Sequence, residues 1–158
     1  MPYFTEPRNI ELSTLEYLTT QIDASWSGVT VVKTFTQAYS KNINLPIVCV
    51  RLLDQSSSRL EIGSNTLDNR YGIAIDIFAR SDGQRIDLAN FILDKLKDGW
   101  MYYVFSHKSG DKSQLEKTAD GRIQVTDFME NYRIDFGELE VDEKDRFRHF
   151  ISVRVRKS

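Results

Sequence analysis

The sequence has few residues that form disulfides or interrupt helices and strands, and it has no long apolar run. Its 158 residues include one cysteine and three prolines, and no apolar run approaches the ~18 residues that a membrane-spanning helix needs. One cysteine excludes an internal disulfide framework, and Cys49 lies in an apolar run, which predicts a buried structural thiol. The net charge of −2 disfavours a dedicated nucleic-acid binder, whose domain is usually strongly basic. We therefore expect a soluble protein made in a cytoplasm, with no membrane contact.

The sequence also lacks the motifs of common catalytic and metal sites. It has no nucleophile elbow, no cysteine pair, no calcium loop and no phosphate loop. Of the two histidines, His149 falls on the apolar side of a predicted strand, which favours a partly buried histidine over a ligand. Asp54 and Asp76 lie on predicted strands, but no Glu-x-Lys pattern follows them. We expect no catalytic residue, cofactor or metal ion, and therefore no enzyme.

One strand–helix unit, Asn69 to Gly99, organises the chain. Alternating isoleucines from residue 73 to residue 77 predict a strand. Ser81 and Gln84 form a capping box for the helix that follows, and Gly99 supplies a residue that tolerates left-handed backbone at its end. The apolar face of this helix is predicted from the spacing of Ile86, Ala89, Ile92, Leu93 and Leu96.

The rest of the chain predicts further strands and one more helix. Residues 1–8 contain two of the three prolines and predict an extended N-terminal arm. A first helix follows, capped by Asn9 or, with Glu16 completing a capping box, by Ser13. The apolar run 47–53 predicts a central strand covered on both faces. The polar segments 55–58 and 106–121 predict loops, the second long enough to be functional or disordered.

The C-terminal third predicts a hairpin. Alternation of apolar and polar residues from Phe147 to Arg156 predicts a last strand, paired antiparallel with the strand before it. The whole order of elements predicts one α+β domain over residues 1–158. We expect a mainly antiparallel mixed sheet of about five to six strands, with two principal helices packed on one face.

Charge is segregated within this hairpin. Residues 135–145 contain six acidic residues and one lysine, whereas residues 146–158 contain five basic residues and no acidic one. One interpretation is cross-strand pairing within the hairpin. The other is complementary surfaces on neighbouring subunits, where charge fixes the register of the contact. The sequence leaves both interpretations open.

The strand–helix unit resembles the core of a viral protein family. Residues 69–82, NRYGIAIDIFARSD, and 84–92, QRIDLANFI, are similar to the strand–helix core of tail terminator proteins of long-tailed bacteriophages, also called tail completion or neck proteins. Length and element order extend the resemblance from about Leu12 to Arg156. It implies a sheet flanked by helices, related to that of tail tube proteins, and a structural role without enzymatic activity.

The family resemblance also implies partners and a location. Family members form a hexameric ring at the head-proximal end of the tail tube, end tube polymerisation and present a surface to the head connector. DNA passes through the ring without sequence-specific binding. By position alone, the arm, the polar loop, the acidic turn and the basic strand become candidate contacts with other subunits, tube or connector. Their candidate residues are Tyr3, Phe4, Lys108, Asp111, Lys112, Glu138, Glu140, Asp142, Glu143, Arg148, Arg154 and Arg156.

Two alternatives stay open at this level. A head–tail connector adaptor or a tail tube subunit of the same particle would have the same kind of sequence. A small metal-dependent nuclease that uses Asp54 or Asp76, or a ligand-binding α+β domain, belongs to another functional class.

Overall fold

The computed structural model describes residues 3–63, 65–136 and 141–158, and these are the described residues below. They form an α+β domain with three helices, six strands and one 3₁₀ turn at Glu143–Asp145. The helices are α1 (Glu6–Ser25), α2 (Phe35–Ala38) and α3 (Asp82–Leu96). The strands are β1 (Thr30–Val32), β2 (Ile47–Arg59), β3 (Leu67–Ala79), β4 (Trp100–Lys108), β5 (Asp111–Ile134) and β6 (Phe147–Lys157).

The six strands form one mixed, curled sheet. Their order is β1-β2-β3-β6-β5-β4, and only β1 and β2 run parallel. The long strand β5 changes neighbours along its length, because residues 111–123 pair with β4 and residues 123–134 pair with β6. This arrangement confirms the predicted α+β class, the mainly antiparallel sheet and the antiparallel pairing of the last two strands.

Helices α1 and α3 pack on the same face of the sheet, as predicted. Their buried residues form one apolar core with β3, whose Ile73, Ile75 and Ile77 are fully buried. A smaller cluster on the other face includes Cys49 and Phe78 and lies against α2 and the segment after it. Cys49 is fully buried, which confirms the predicted buried thiol, and this burial raises its pKa to about 11.

Helix α3 has the predicted ends but a rotated face. Ser81 Oγ accepts a hydrogen bond from Gln84 N at 3.1 Å, and Gln84 Oε1 accepts one from Arg80 N at 2.8 Å. Gly99 has a φ of 70°, and a Cβ there would lie 2.6 Å from Ile123 O. The predicted face is wrong at Ile86, which is 50% exposed. Ala89, Ile92 and Leu96 are buried as predicted, and Arg85 and Leu88 complete the buried face.

The start of α1 differs from the prediction. The helix begins at Glu6, so neither Asn9 nor Ser13 is its N-cap. Residues 6–8 are therefore helical rather than part of an extended arm. Asn9 and Ser13 are both buried inside the helix, where their side chains bind the backbone of β4. Short polar residues such as asparagine and serine serve both as helix N-caps and as side chains that bind a neighbouring strand. The sequence does not distinguish these roles, which explains the wrong N-cap prediction.

The prediction of a polar loop at residues 106–121 is also wrong. Residues through Lys108 belong to β4, and residues from Asp111 onward belong to β5, so only Ser109 and Gly110 form the turn. Gly110 has a φ of 82°, which suits glycine in so short a connection. Likewise, the predicted loop 55–58 is the outer part of β2. Both segments are exposed strands with polar side chains on each face.

His149 is buried and hydrogen-bonded on both ring nitrogens. Its Nδ1 lies 2.6 Å from Arg85 Nη1, and its Nε2 lies 2.5 Å from Asn131 Oδ1. Burial, together with the charge of Arg85, lowers the pKa of His149 to about 4. A neutral ring therefore accepts from Arg85 and donates to Asn131, which confirms the buried histidine expected from the sequence.

We expect His149 to make stability fall in mild acid. Its pKa is about 4 in the folded chain against an ordinary value of 6.5, so its contribution is complete above pH 6.5 and is lost as pH falls toward 4. The expected loss is about 2–3 kcal/mol over this range. Urea unfolding at a series of pH values, compared with His149→Gln, measures it. Equal pH dependence in both proteins would contradict the assignment.

Candidate assembly surfaces

Helix α1 binds the β4 edge of the curled sheet and the part of β2 that extends past β1. Asn9 Oδ1 accepts a hydrogen bond from Phe105 N at 3.1 Å, and Ser13 Oγ accepts one from Tyr103 N at 3.0 Å, both on β4. Glu11 Oε2 accepts a hydrogen bond from Leu52 N of β2 at 2.9 Å. Covered edges cannot pair with another chain, so α1 restricts where strand addition can take place.

The N-terminal residues add to this protection. Phe4 N donates to Phe105 O at 2.9 Å, and Tyr3 forms an isolated antiparallel bridge with Ser106. The Phe4 ring packs edge-to-face on His107, with 5.1 Å between ring centroids. Tyr3 and Phe4, both predicted contact residues, thus lie against β4 of their own chain, although Tyr3 remains 61% exposed.

The second half of β5 keeps an open edge. On the side opposite β6, β4 pairs with β5 only as far as Ile123, and among the described residues no strand pairs with residues 124–134 on that side. Bulges at Thr126 and Met129 interrupt the pairing with β6. Phe128, Met129 and Tyr132 are about half exposed. We call residues 124–134 the β5 edge surface.

A groove runs beside the β5 edge surface. It has a volume of about 450 Å³ and separates α3 from β5, with Leu93 on one wall and Phe128 and Met129 on the other. The exposed Ile86 lies farther along the same side of α3 and lines a smaller adjoining cavity with Leu93. The open backbone edge is therefore flanked by apolar side chains.

The hairpin formed by β2 and β3 projects beyond the sheet. Strand β6 pairs with β3 only from Tyr71 to Ala79, so the outer parts of β2 and β3 pair only with each other. Among the described residues of this projection, Leu60 and Leu67 are about half exposed and Ile62 is fully exposed. We call residues 54–63 and 65–70 the hairpin tip surface.

These two surfaces were missed in the sequence. Their signals are local: consecutive apolar residues at 128–129 break strand alternation, and Leu60 and Ile62 precede Gly63 in an otherwise polar segment. The β5 edge surface and the hairpin tip surface belong to different flanks of the strand order, since β2 lies next to β1 and β5 next to β4.

The arginines of β6 form ion pairs within the chain. Among the described residues, their partners include carboxylates of β2 and β3 as well as Asp145 of the acidic segment 135–145. The pairs are Arg148 with Asp76 and Asp145, Arg154 with Asp54, and Arg156 with Asp68, at 2.7–3.5 Å.

The remaining predicted contact residues lie at two places. Strands β4 and β5 form a two-stranded ribbon, the β4–β5 ribbon, where they pair with each other. Lys108 and Asp111 are opposite each other in its register at the turn end, and Lys112 is exposed beside them. Asp142 caps the 3₁₀ turn by accepting from Lys144 N at 3.0 Å, and Glu143 begins that turn. The other two predicted residues, Glu138 and Glu140, lie outside the described residues.

The two carboxylates considered for a nuclease are both held by arginines. Asp76 is 1% exposed and lies 2.8 Å from Arg51 and 3.0 Å from Arg148. Asp54 lies 2.7 Å from Arg154. Within the described ranges, no group of three His, Cys, Asp or Glu side chains is placed to hold a metal ion.

No protein-family model matches the chain, and no curated protein sequence is significantly similar to it. In the part of the chain that the structure describes, none of the helices has the length and apolar character required to cross a bilayer.

Proposed function

We propose that the protein is a non-enzymatic structural protein of a long-tailed bacteriophage. It assembles into a ring, six subunits by the family resemblance, at the head-proximal end of the tail tube. There it ends tube polymerisation and provides the surface that joins tail to head. It is made in the host cytoplasm and resides in the virion at the head–tail junction.

One observation carries the proposal of assembly: the described residues leave two different surfaces without a partner, on different flanks of one sheet. A contact between two different surfaces is heterologous, and repetition of a heterologous contact closes into a ring when its rotation allows. The β5 edge surface offers a strand edge that no described strand pairs with, beside a groove that combines the apolar side chains of Leu93, Phe128 and Met129 with polar and charged ones. The hairpin tip surface offers exposed apolar side chains, including Ile62.

The difference between the covered β4 edge and the uncovered β5 edge surface supports a contact between subunits at the β5 edge surface. An exposed strand edge promotes aggregation, and folded proteins usually cover or charge it. In this chain, α1 side chains and the N-terminal residues cover β4, yet the described residues leave positions 124–134 of β5 uncovered. We propose that the hairpin tip of the next subunit covers them in the ring.

The remaining partners are assigned by position. The end of the β4–β5 ribbon, with Lys108, Asp111 and Lys112, and the turn with Asp142 and Glu143 are our proposed contacts with the tail tube protein or the head connector. DNA passes through the ring without sequence-specific binding. A nuclease is less well supported, because Asp54 and Asp76 already neutralise arginines.

Assembly and capping are tested together on the full chain. We expect light scattering and negative-stain microscopy of concentrated protein to show rings, and we expect purified tail tubes to stop growing when the protein is added. A monomer in solution that still caps tubes is a form of the same function, in which the tube templates the ring. A protein that stays monomeric at all concentrations and also leaves tube growth unchanged would refute the proposal.

A further inference from the structure

A basic pocket lies where the segment before β2 meets the 3₁₀ turn and the start of β6. Its volume is about 470 Å³, and its charged lining consists of Lys41, Arg80, Lys144, Arg146 and Glu143. Four positive charges minus one negative charge leave the lining at +3, in a chain whose net charge is −2. This concentration of positive charge in a concave site is contrary to the composition of the whole chain.

Lys144 is fixed in the pocket wall by neutral groups. Its ammonium donates to Ala38 O at 2.9 Å, to Ser40 O at 2.6 Å and to Ile43 O at 2.8 Å. These three bonds use all three ammonium hydrogens and hold the side chain in place. Because carbonyl groups carry no net charge, the positive charge of Lys144 is positioned but not cancelled.

In the described part of the chain, the other cations keep free donors. Arg80 Nε donates to Leu45 O at 2.8 Å, which orients the guanidinium, and no described residue binds its terminal nitrogens. Arg146 and Lys41 are exposed. Among the described residues, none of the four cations forms an ion pair with a carboxylate.

We propose that this pocket binds a phosphate monoester with an attached organic group. A phosphate monoester carries close to two negative charges near neutral pH and presents three acceptor oxygens, which suits several convergent cations better than a carboxylate does. The pocket is far larger than a phosphate group, and Ile43, Leu45 and Phe147 give it apolar walls. Those walls suit the base and sugar of a nucleotide, either free or at the 5′ end of a nucleic acid. The inference does not depend on ring assembly.

Titration calorimetry on the full chain tests the site with four probes. These are adenosine 5′-monophosphate, adenosine, and one short single-stranded oligonucleotide with a 5′-phosphate or with a 5′-hydroxyl group. We expect saturable binding of a phosphorylated probe, weakened about tenfold or more by Arg146→Gln, because charge-assisted hydrogen bonds are lost. Arg156→Gln removes the same charge outside the pocket and should leave binding unchanged. Tighter binding of the nucleotide or of the phosphorylated oligonucleotide identifies the source of the phosphate.

Several results would overturn the site. These are no saturable binding of either phosphorylated probe, or binding that does not depend on the phosphate in either pair, that is, adenosine binding as tightly as its monophosphate and the two oligonucleotides binding equally. Equal weakening by Arg146→Gln and Arg156→Gln would show general attraction to charge instead. The melting temperatures of both variants establish that they are folded, and Lys41→Gln provides a second variant that leaves Arg146 intact.

Discussion

Replacing Asp76 by asparagine is expected to lower the free energy of unfolding by about 3–5 kcal/mol, because it leaves two buried or half-buried guanidinium groups without their shared counter-charge. Asp76 is 1% exposed and binds one guanidinium through each carboxylate oxygen, Arg51 at 2.8 Å and Arg148 at 3.0 Å. The two guanidinium groups also lie over Phe35 at 4.1 Å and Phe78 at 4.6 Å. Aromatic contacts do not replace the missing negative charge.

Asp54→Asn is the matched control for this prediction. The chemical change is the same, and Asp54 also pairs with an arginine of β6, Arg154 at 2.7 Å. Its side chain is 56% exposed, however, and exposed pairs contribute only about 0–1 kcal/mol. Urea unfolding of both variants compares the two losses. If Asp76→Asn costs no more than Asp54→Asn, the carboxylate does not hold this part of the sheet together.

Met129→Lys is expected to abolish assembly while leaving the folded monomer intact. Met129 is a bulge residue, is 52% exposed and lines the groove beside the β5 edge surface. A lysine there stays hydrated in the monomer, but it would have to be desolvated in an apolar contact. Charged residues on edges are also a natural means of preventing strand addition.

Leu115→Lys controls for added charge on the same strand. Leu115 is 46% exposed but lies in the half of β5 that pairs with β4. We expect this variant to assemble like the unchanged chain, by light scattering at matched concentrations, and both variants to melt within a few degrees of it. Assembly that survives Met129→Lys would remove the β5 edge surface from the contact.

The sequence predicts well those parts of the fold in which burial produces a regular spacing of apolar residues. Strand β3 places Ile73, Ile75 and Ile77 in the main core, and strand β6 places alternate residues from Ile151 to Val155 there, so both leave an alternating apolar pattern in the sequence. The ends of α3 follow from Ser81 and Gly99, whose roles are local. Long-range contacts left no such pattern. Asn9 and Ser13 look like caps in the sequence because their partners on β4 are about 90 residues away along the chain.

The candidate surfaces were harder to predict for the same physical reason. A two-stranded ribbon that is exposed on both faces buries neither of them. The polar segment 106–121 therefore shows no alternation of apolar and polar residues, and its sequence predicts a loop. An open strand edge depends on where the neighbouring strand stops, which is decided by β4 ending its pairing at Ile123. The basic pocket joins Lys41, Arg80 and Arg146 from three separate segments.

The central claim, a heterologous contact between the β5 edge surface and the hairpin tip surface, is tested most directly by mixing two defective variants. Met129→Lys disables one surface and Ile62→Lys the other, and each variant alone should be monomeric. Each keeps one intact surface, so an equal mixture should form a heterodimer and nothing larger, measured as twice the monomer mass by light scattering. Rings formed by either variant alone, or a mixture that remains monomeric under conditions in which the unchanged chain assembles, would contradict the claim.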